Sequence, residues 1–130
     1  MRNALDPSPR REPAAQARQG ALGVFFDIAE KWGLTAEQQM TLLGSPARST
    51  FFKWKKERSL VSGDILERIS HIVSIYKALN ILLPEPDRAS GWLRRPNKYF
   101  DSRSALNVML DGNVTDIYRV RAYVDAQRGG

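Results

Sequence analysis

The longest apolar stripe in the sequence, over residues 62 to about 83, sets the first limit on the fold. Its apolar residues recur every three or four positions, which is the spacing of one wide helix face: Ile65, Leu66, Ile69, Ile72, Val73, Tyr76, Leu79 and Leu83. Pro84 and Pro86 follow the stripe and end the helix. A helix this apolar in a chain of 130 residues either lies at the centre of the fold or pairs with a second chain.

The remaining apolar residues also predict helices, because no strand-type alternation continues beyond four residues. The predicted helices run over residues 21–32, 36–43, 46–57, 62–83, 85–94, 104–110 and 114–126. Thr35 and Gln38 form a capping box before the second helix. Ser45 is the predicted N-cap of the third, with Pro46 in its first turn. The fold class is therefore all-α, with about seven helices.

A connector over residues 91–106 joins the basic first half of the chain to a short helical tail. Pro96 stops the helix before it, because proline disfavours helical geometry at the preceding residue. Asn97 is expected to hydrogen-bond to nearby backbone in a turn, and Asp101 or Ser102 is expected to cap the next helix. The connector is thus predicted to be a packed link between helices.

The composition argues against several classes of protein. The chain has no cysteine, so it forms neither disulfides nor thiolate metal sites, and its one histidine, His71, falls in a predicted apolar helix where a structural role is expected. No metal site and no cofactor are predicted. No apolar run approaches the ~18 residues of a membrane span. The N-terminus lacks the apolar core of a signal peptide, and we therefore expect a cytoplasmic protein without a membrane partner.

The sequence also lacks the usual signs of catalysis. It has no glycine-rich phosphate loop, no paired carboxylates in an apolar setting and no nucleophile beside a base. We therefore expect no enzymatic activity and no small-molecule substrate. The net charge of +6 and the isoelectric point near 10.0 instead suit an anionic partner, most often nucleic acid.

The chain divides into three parts. Residues 1–19 are a predicted flexible arm, because prolines stand there among Arg, Ala and Gln with almost no large apolar residue. The arginines of this arm either contact a nucleic acid backbone or belong to a solvated tail. Residues 20–60 are a predicted helix-turn-helix domain, and residues 61–130 are a second helical domain.

The helix predicted over residues 46–57 carries much of the positive charge. Five basic residues and one acid lie in residues 45–58, so +4 of the net +6 is found here. A glycine turn followed by a basic helix is typical of a helix-turn-helix, whose second helix enters the major groove of DNA. The predicted contacts are Arg48, Ser49, Thr50 and Lys53 at base edges, and Lys55 and Lys56 at phosphates. The alternative is a solvated basic face, and for Phe52 beside it the alternative is contact with a neighbouring helix.

Two segments carry a family resemblance. Residues 43–54 read Leu-Gly-Ser-Pro-Ala-Arg-Ser-Thr-Phe-Phe-Lys-Trp, and residues 91–97 read Gly-Trp-Leu-Arg-Arg-Pro-Asn. The first resembles the helix-turn-helix of Xre/MbcA/ParS-type antitoxins, the partners of RES-domain toxins, and the second resembles the most specific signature of that family. The resemblance covers roughly residues 20–128. Residues 99–102 depart from it, because they are bulkier than the glycine-containing linker expected there.

The resemblance implies a function. RES toxins consume NAD⁺, and the family's antitoxins form homodimers that bind the toxin through the C-terminal domain, cover its active site and bind operator DNA of their own operon. Residues 61–130 are on this basis a toxin-binding and dimerisation domain. The residues expected to contact the toxin are Trp92, Arg94, Arg95 and Asn97 of the signature, and Arg119, Arg121 and Arg128, whose charge suits a cleft for an anionic dinucleotide. For the last three arginines, a solvated helix face is the alternative.

A second function remains open from the sequence. A helix-turn-helix transcription regulator without a toxin partner would use its C-terminal half only for dimerisation or effector binding. The connector with Trp92, Arg95 and Pro96 favours the antitoxin, because a plain regulator does not need it.

Overall fold

The fold consists mainly of helices. The computed structural model describes the backbone of residues 8–57 and 60–129, and the side chains from Gly20 onward within those ranges. The described residues form seven helices and one short hairpin: α1 Ser8–Trp32, α2 Ala36–Leu42, α3 Arg48–Glu57, α4 Gly63–Leu82, α5 Pro86–Trp92, β1 Pro96–Asn97, a 3₁₀ turn Lys98–Phe100, β2 Arg103–Ser104, α6 Ala105–Met109 and α7 Val114–Gln127. The predicted helical fold class is confirmed, and the hairpin is added to it.

Helix α4 lies at the centre of the fold. It packs against α1 on one side and against α7 on the other. The side chains of Ile69, Ile72, Ile75 and Leu79 are almost completely buried between them. The helix therefore has the central position that was one of its two predicted alternatives. Three residues of its stripe, Ile69, Ile72 and Leu79, are buried within the single chain, and the other five are half-buried.

Helix α1 is longer than the sequence pattern indicated. It begins at Ser8 rather than at residue 21, so it includes part of the stretch that was expected to be an arm. Residues 14–19 are Ala-Ala-Gln-Ala-Arg-Gln, and these residue types have high helix propensity even where no apolar face is present. The first seven residues of the expected arm lie outside the described residues.

The turn between α2 and α3 differs from the prediction. Ser45 has a left-handed backbone, with φ of 59°, and its amide donates to the carbonyl oxygen of Met40 over 2.8 Å. Ser45 therefore closes the C-terminal turn of α2 and does not cap α3, which is a correction to the sequence-based assignment. Helix α3 begins at Arg48, and the carbonyl of Ala47, just before it, accepts a hydrogen bond from the amide of Phe51.

The connector folds into a hairpin. Pro96 pairs with Ser104 in an antiparallel register, and the turn contains Asp101 and Ser102 with φ of 55° and 67°. These two residues therefore do not cap α6, as was expected. The Ser104 hydroxyl does so instead, by accepting from the amide of Asn107 over 3.0 Å. The predicted turn at Asn97 is confirmed, because its side-chain oxygen accepts from the amide of residue 99 over 2.8 Å.

Two arginines join the helix-turn-helix half to the C-terminal half. The buried guanidinium of Arg68 donates to the carbonyl oxygens of Gly112 over 2.9 Å and Leu42 over 3.4 Å. The guanidinium of Arg94 donates to the carbonyl of Trp32 over 2.6 Å. Leu42 and Trp32 end α2 and α1, where backbone carbonyls lack helical partners and attract cations. Arginines bound to helix C-termini therefore add polar contacts to the apolar core that the two halves share.

Candidate functional site

One side of α3 faces solvent and carries positive charge. Phe51 and Trp54 are buried against the rest of the helix-turn-helix, which fixes the orientation of α3. The exposed side chains of Ser49, Lys53 and Lys56 then point away from the core, because residues three and four apart share one side of a helix. This outward surface of α3 is free to approach a nucleic acid.

Arg48 is held at the N-terminal end of this surface. Its guanidinium donates to the Glu37 carboxylate of α2 over 2.9 Å, and this hydrogen bond lowers the pKa of Glu37. The guanidinium also lies 5.3 Å from the centre of the Phe52 ring. Because the Arg48 side chain remains 64% exposed, it is oriented by both neighbours without being withdrawn from solvent.

Two other predicted DNA contacts have different positions. The Lys55 ammonium lies 5.5 Å from the centre of the Phe26 ring of α1 and 6.0 Å from that of Phe51. Lys55 is therefore on the flank of α3 that faces α1, although its side chain is exposed. Thr50 is half-buried. The structure thus groups Arg48, Ser49, Lys53 and Lys56 and sets Lys55 and Thr50 at the margin, while their roles in DNA binding stay predictions.

A second surface is formed by an aromatic cluster of four residues on the connector and α7: Trp92, Tyr99, Phe100 and Tyr123. Tyr123 is the centre of the cluster, because its ring stacks on Trp92 at 6.1 Å and contacts Tyr99 at 4.5 Å and Phe100 at 5.3 Å. Phe100 is buried, whereas Tyr99 is 58% exposed. The guanidinium of Arg119 lies 5.3 Å from the centre of the Phe100 ring and adds a cation to the surface.

The hairpin holds this cluster in place. Arg103 of β2 forms two hydrogen bonds to the Asp111 carboxylate, of 2.8 and 2.9 Å, in the planar paired geometry that arginine and carboxylate favour. This contact lowers the pKa of Asp111 and raises the pKa of Arg103. Arg103 also donates to the backbone carbonyl of Asn107 over 2.9 Å. The connector is thereby fixed to α6 and to the turn after it.

An apolar groove adjoins the cluster. It has a volume of about 240 Å³. Its lining comes from the C-terminal ends of α4 and α7 and from the cluster itself: Leu79, Leu82, Leu83, Trp92, Tyr123, Val124 and Gln127. Exposed aromatic and apolar side chains with a nearby arginine are the residue types enriched in the cores of protein–protein interfaces.

The residues predicted to contact a toxin do not all lie on this surface. Trp92 and Arg119 do, and Arg128 follows the end of α7, where it is exposed. Arg94 is bound to the C-terminus of α1, and Arg121 faces α4. Arg95 and Asn97 lie at the base of the hairpin, the first exposed and the second half-buried. Tyr99, Phe100 and Tyr123 are the cluster members that the sequence did not single out as contacts.

Arg121 has an internal partner. Its guanidinium contacts Nδ1 of His71 over 2.9 Å and lies 3.5 Å from the Asp125 carboxylate. A guanidinium only donates hydrogen bonds, so Nδ1 of His71 accepts. The hydrogen of that imidazole is then on Nε2, which lies 3.3 Å from the Glu67 carboxylate. His71 thus links α4 to α7, in agreement with the structural role predicted for it.

Among the side chains that the structure describes, in residues 20–57 and 60–129, no group of three or more His, Cys, Asp or Glu is arranged to hold a metal ion. In that same part of the chain, none of the helices combines the length and the apolar character that crossing a membrane requires.

The fold and the two surfaces define a class: a helix-turn-helix protein with a second helical domain that presents an aromatic surface. Comparison with protein families supports both parts of this description. Residues 12–74 match the antitoxin Xre-like helix-turn-helix domain, and residues 78–130 match the antitoxin Xre/MbcA/ParS C-terminal toxin-binding domain. The chain therefore belongs to the Xre/MbcA/ParS antitoxin family. Neither matched family is an enzyme family.

A similar protein aligns with most of this chain. The chain is 60% identical over 109 residues to a protein of Sinorhizobium fredii (strain NBRC 101917 / NGR234) named "Uncharacterized protein y4oB". The alignment covers 84% of each chain. The two proteins are therefore similar over most of their lengths, through both matched domains.

The geometry of α3 gives a prediction about phosphate contacts. Replacing Lys56 by Ala should reduce the slope of log K against log salt by about one unit, because one fewer phosphate charge is neutralised. Lys55→Ala should change the slope less, because its ammonium lies on the flank that faces α1. The measurement is a salt titration of binding to a duplex from the promoter of its own gene, with Lys98→Ala in the connector as the control. Equal slopes for the Lys56 and Lys98 variants would show that the outward surface of α3 does not contact DNA.

Proposed function

We propose that this protein is the antitoxin of a type II toxin–antitoxin system whose toxin is a RES-type, NAD-consuming enzyme. The antitoxin binds the toxin through its C-terminal domain and blocks the active site. As a homodimer it also binds operator DNA and represses its own operon. The observation that carries the proposal is the partly exposed aromatic cluster with Arg119, whose residue types are those of protein interfaces, within the domain that matches a toxin-binding family.

The chemistry of this surface suits a cleft that binds a dinucleotide. Tyr99 offers an exposed ring for stacking or apolar contact, and Arg119 offers a positive charge over the ring of Phe100, which Tyr99 contacts. Arg128 adds a second exposed cation at the end of α7. A site that holds the phosphates of NAD⁺ attracts cations, so charge complementarity favours this side of the domain as the part that enters the toxin.

Neutralisation should depend on the aromatic cluster and not on the α4-facing side of α7. Tyr99→Ala and Arg119→Glu should weaken protection strongly and lower the melting temperature only slightly, because both side chains reach solvent and make few contacts within the chain. Deleting residues 127–130 should do the same, since the deletion removes Arg128 and few apolar contacts. The measurement is co-expression with a RES-domain toxin encoded beside the gene, scored by growth and cellular NAD⁺, together with thermal melts of the purified variants.

Two variants of α7 serve as controls. Tyr118→Ala removes an aromatic ring of similar exposure, 54%, that contacts His71 instead of the cluster, and it should remain protective. Arg121→Glu should lower the melting temperature, because it breaks the contact with His71, and it should lose protection only as a consequence. If Tyr99→Ala, Arg119→Glu and the deletion all protect as well as the natural sequence, the proposed toxin-binding surface is wrong.

The proposed homodimer has a specific surface. An open groove lies between α1 and α4, and its apolar lining includes Val24, Leu66 and Val73. Val24 of α1 is 45% exposed, and Leu66 and Val73 of α4 are half-buried, so both helices offer apolar surface to a second chain here. A self-complementary apolar surface suits a two-fold dimer, and two-fold symmetry suits an operator with two half-sites.

Light scattering at micromolar concentration tests this dimer. The protein should have twice the monomer mass of 14.7 kDa, and Val24→Asp should convert it to monomers, since burying an unpaired carboxylate is unfavourable. Ile81→Asp is the matched control, because Ile81 is 60% exposed and does not line the groove. A monomeric natural protein, or a Val24→Asp variant that stays dimeric, would contradict the proposed interface.

A further inference from the structure

Phe52 is the large apolar residue on the outward surface of α3. It is 45% exposed, whereas its neighbours Phe51 and Trp54 are buried. It stands four residues from both Arg48 and Lys56, so it lies between them along one side of the helix. The sequence left open whether Phe52 packs on a neighbouring helix. The ring contacts that the structure gives it, to Phe51 and Arg48, are both within α3.

The Phe52 ring is held in position. It makes an edge contact with the ring of Phe51 at 5.1 Å, with an angle of 76° between the ring planes. The ring also contacts the guanidinium of Arg48, which is itself hydrogen-bonded to Glu37. A ring supported in this way loses little side-chain freedom when it contacts a ligand, and such preorganisation favours tight and selective binding.

We propose that Phe52 reads a thymine in the operator by packing against its C5-methyl group. The inference rests on the proposed binding of operator DNA by α3. In the major groove, bases present hydrogen-bond donors and acceptors, and the thymine methyl is the apolar group among them. A phenylalanine cannot pair with the polar edges. It lies between Arg48, a predicted base contact, and Lys56, a predicted phosphate contact, and is therefore near base edges.

Two residues of α3 then have different roles in DNA binding. Lys56 contributes affinity through phosphate, without regard to sequence. Phe52 distinguishes thymine from cytosine, because cytosine lacks the methyl group and presents an amino group to the groove. It also distinguishes a T·A pair from an A·T pair, since the methyl group then lies on the opposite strand.

The experiment removes the methyl group alone. The full-length protein first selects its preferred duplex from a random DNA library. Each thymine of that duplex is then replaced in turn by 2′-deoxyuridine, which differs from thymidine by the C5-methyl group. At one thymine in each half-site, the affinity of the natural protein should fall about fourfold, the effect expected for one buried methyl-sized group.

Variants of α3 then show which residue senses the methyl group. In Phe52→Ala the change from thymine to uracil should make no difference at that position, and Phe52→Leu should keep part of the effect. Lys56→Ala should bind every duplex more weakly and keep the full fourfold effect. Thermal melts show whether each variant is folded, and the Leu variant keeps an apolar side chain if the Ala variant does not fold.

Two results would overturn the inference alone. One is an equal uracil effect in Phe52→Ala and in the natural protein, and the other is a selected duplex in which no thymine is sensitive to its methyl group. If the library yields no preferred sequence, the proposed operator binding itself fails and the role of Phe52 fails with it.

Discussion

The two halves of the chain pack around α4, and the buried guanidinium of Arg68 on that helix is a polar contact that reaches both of them. It donates to Leu42 at the end of α2 and to Gly112 before α7, and its Nε lies 3.5 Å from the Asp64 carboxylate. This ion pair lacks hydrogen-bond geometry, so Nε is buried without a hydrogen-bond partner, and the charge of the guanidinium is balanced by the two carbonyls and the carboxylate. Gly44, with φ of 90°, allows the close approach, because an added Cβ would lie 3.2 Å from Nε of Arg68. The turn of the helix-turn-helix and the second half of the chain are therefore fixed to one another.

Because several arginines of the C-terminal half bind groups within the chain, only part of its positive charge is open to a partner. Arg94, Arg103 and Arg121 bind, respectively, a helix C-terminus, the Asp111 carboxylate and His71. They hold the connector and α7 in place, and the side chains left exposed beside the cluster, Tyr99 and Arg119 above all, become the candidates for partner binding. Some signature residues of the connector thus have a structural role. The surface that they hold in place includes residues outside the signature.

The sequence predicted the helices well, because apolar spacing and capping residues are local signals. Thr35 with Gln38 forms the expected capping box, and α4 ends where the prolines require. The predictions failed where tertiary contacts decide. Ser45 looks like an N-cap but closes α2, and the two-residue strands of the hairpin are too short to give an alternating pattern. The role of Arg68 could not be predicted from the sequence. Its carbonyl partners lie 26 and 44 residues away, and without them an arginine beside an apolar stripe is expected to be solvated.

The most direct test of this account is native-state hydrogen exchange, measured residue by residue. If Arg68 joins the halves, the most protected amides of α1 and α7 should open with the same free energy, as parts of one cooperative unit. In Arg68→Met both values should fall together by about 1–3 kcal/mol, the cost of leaving buried polar groups unpaired, while Arg88→Met, at an exposed pair with Glu85, should change neither. Different free energies for α1 and α7 in the natural protein, or a fall confined to one of them, would contradict the account.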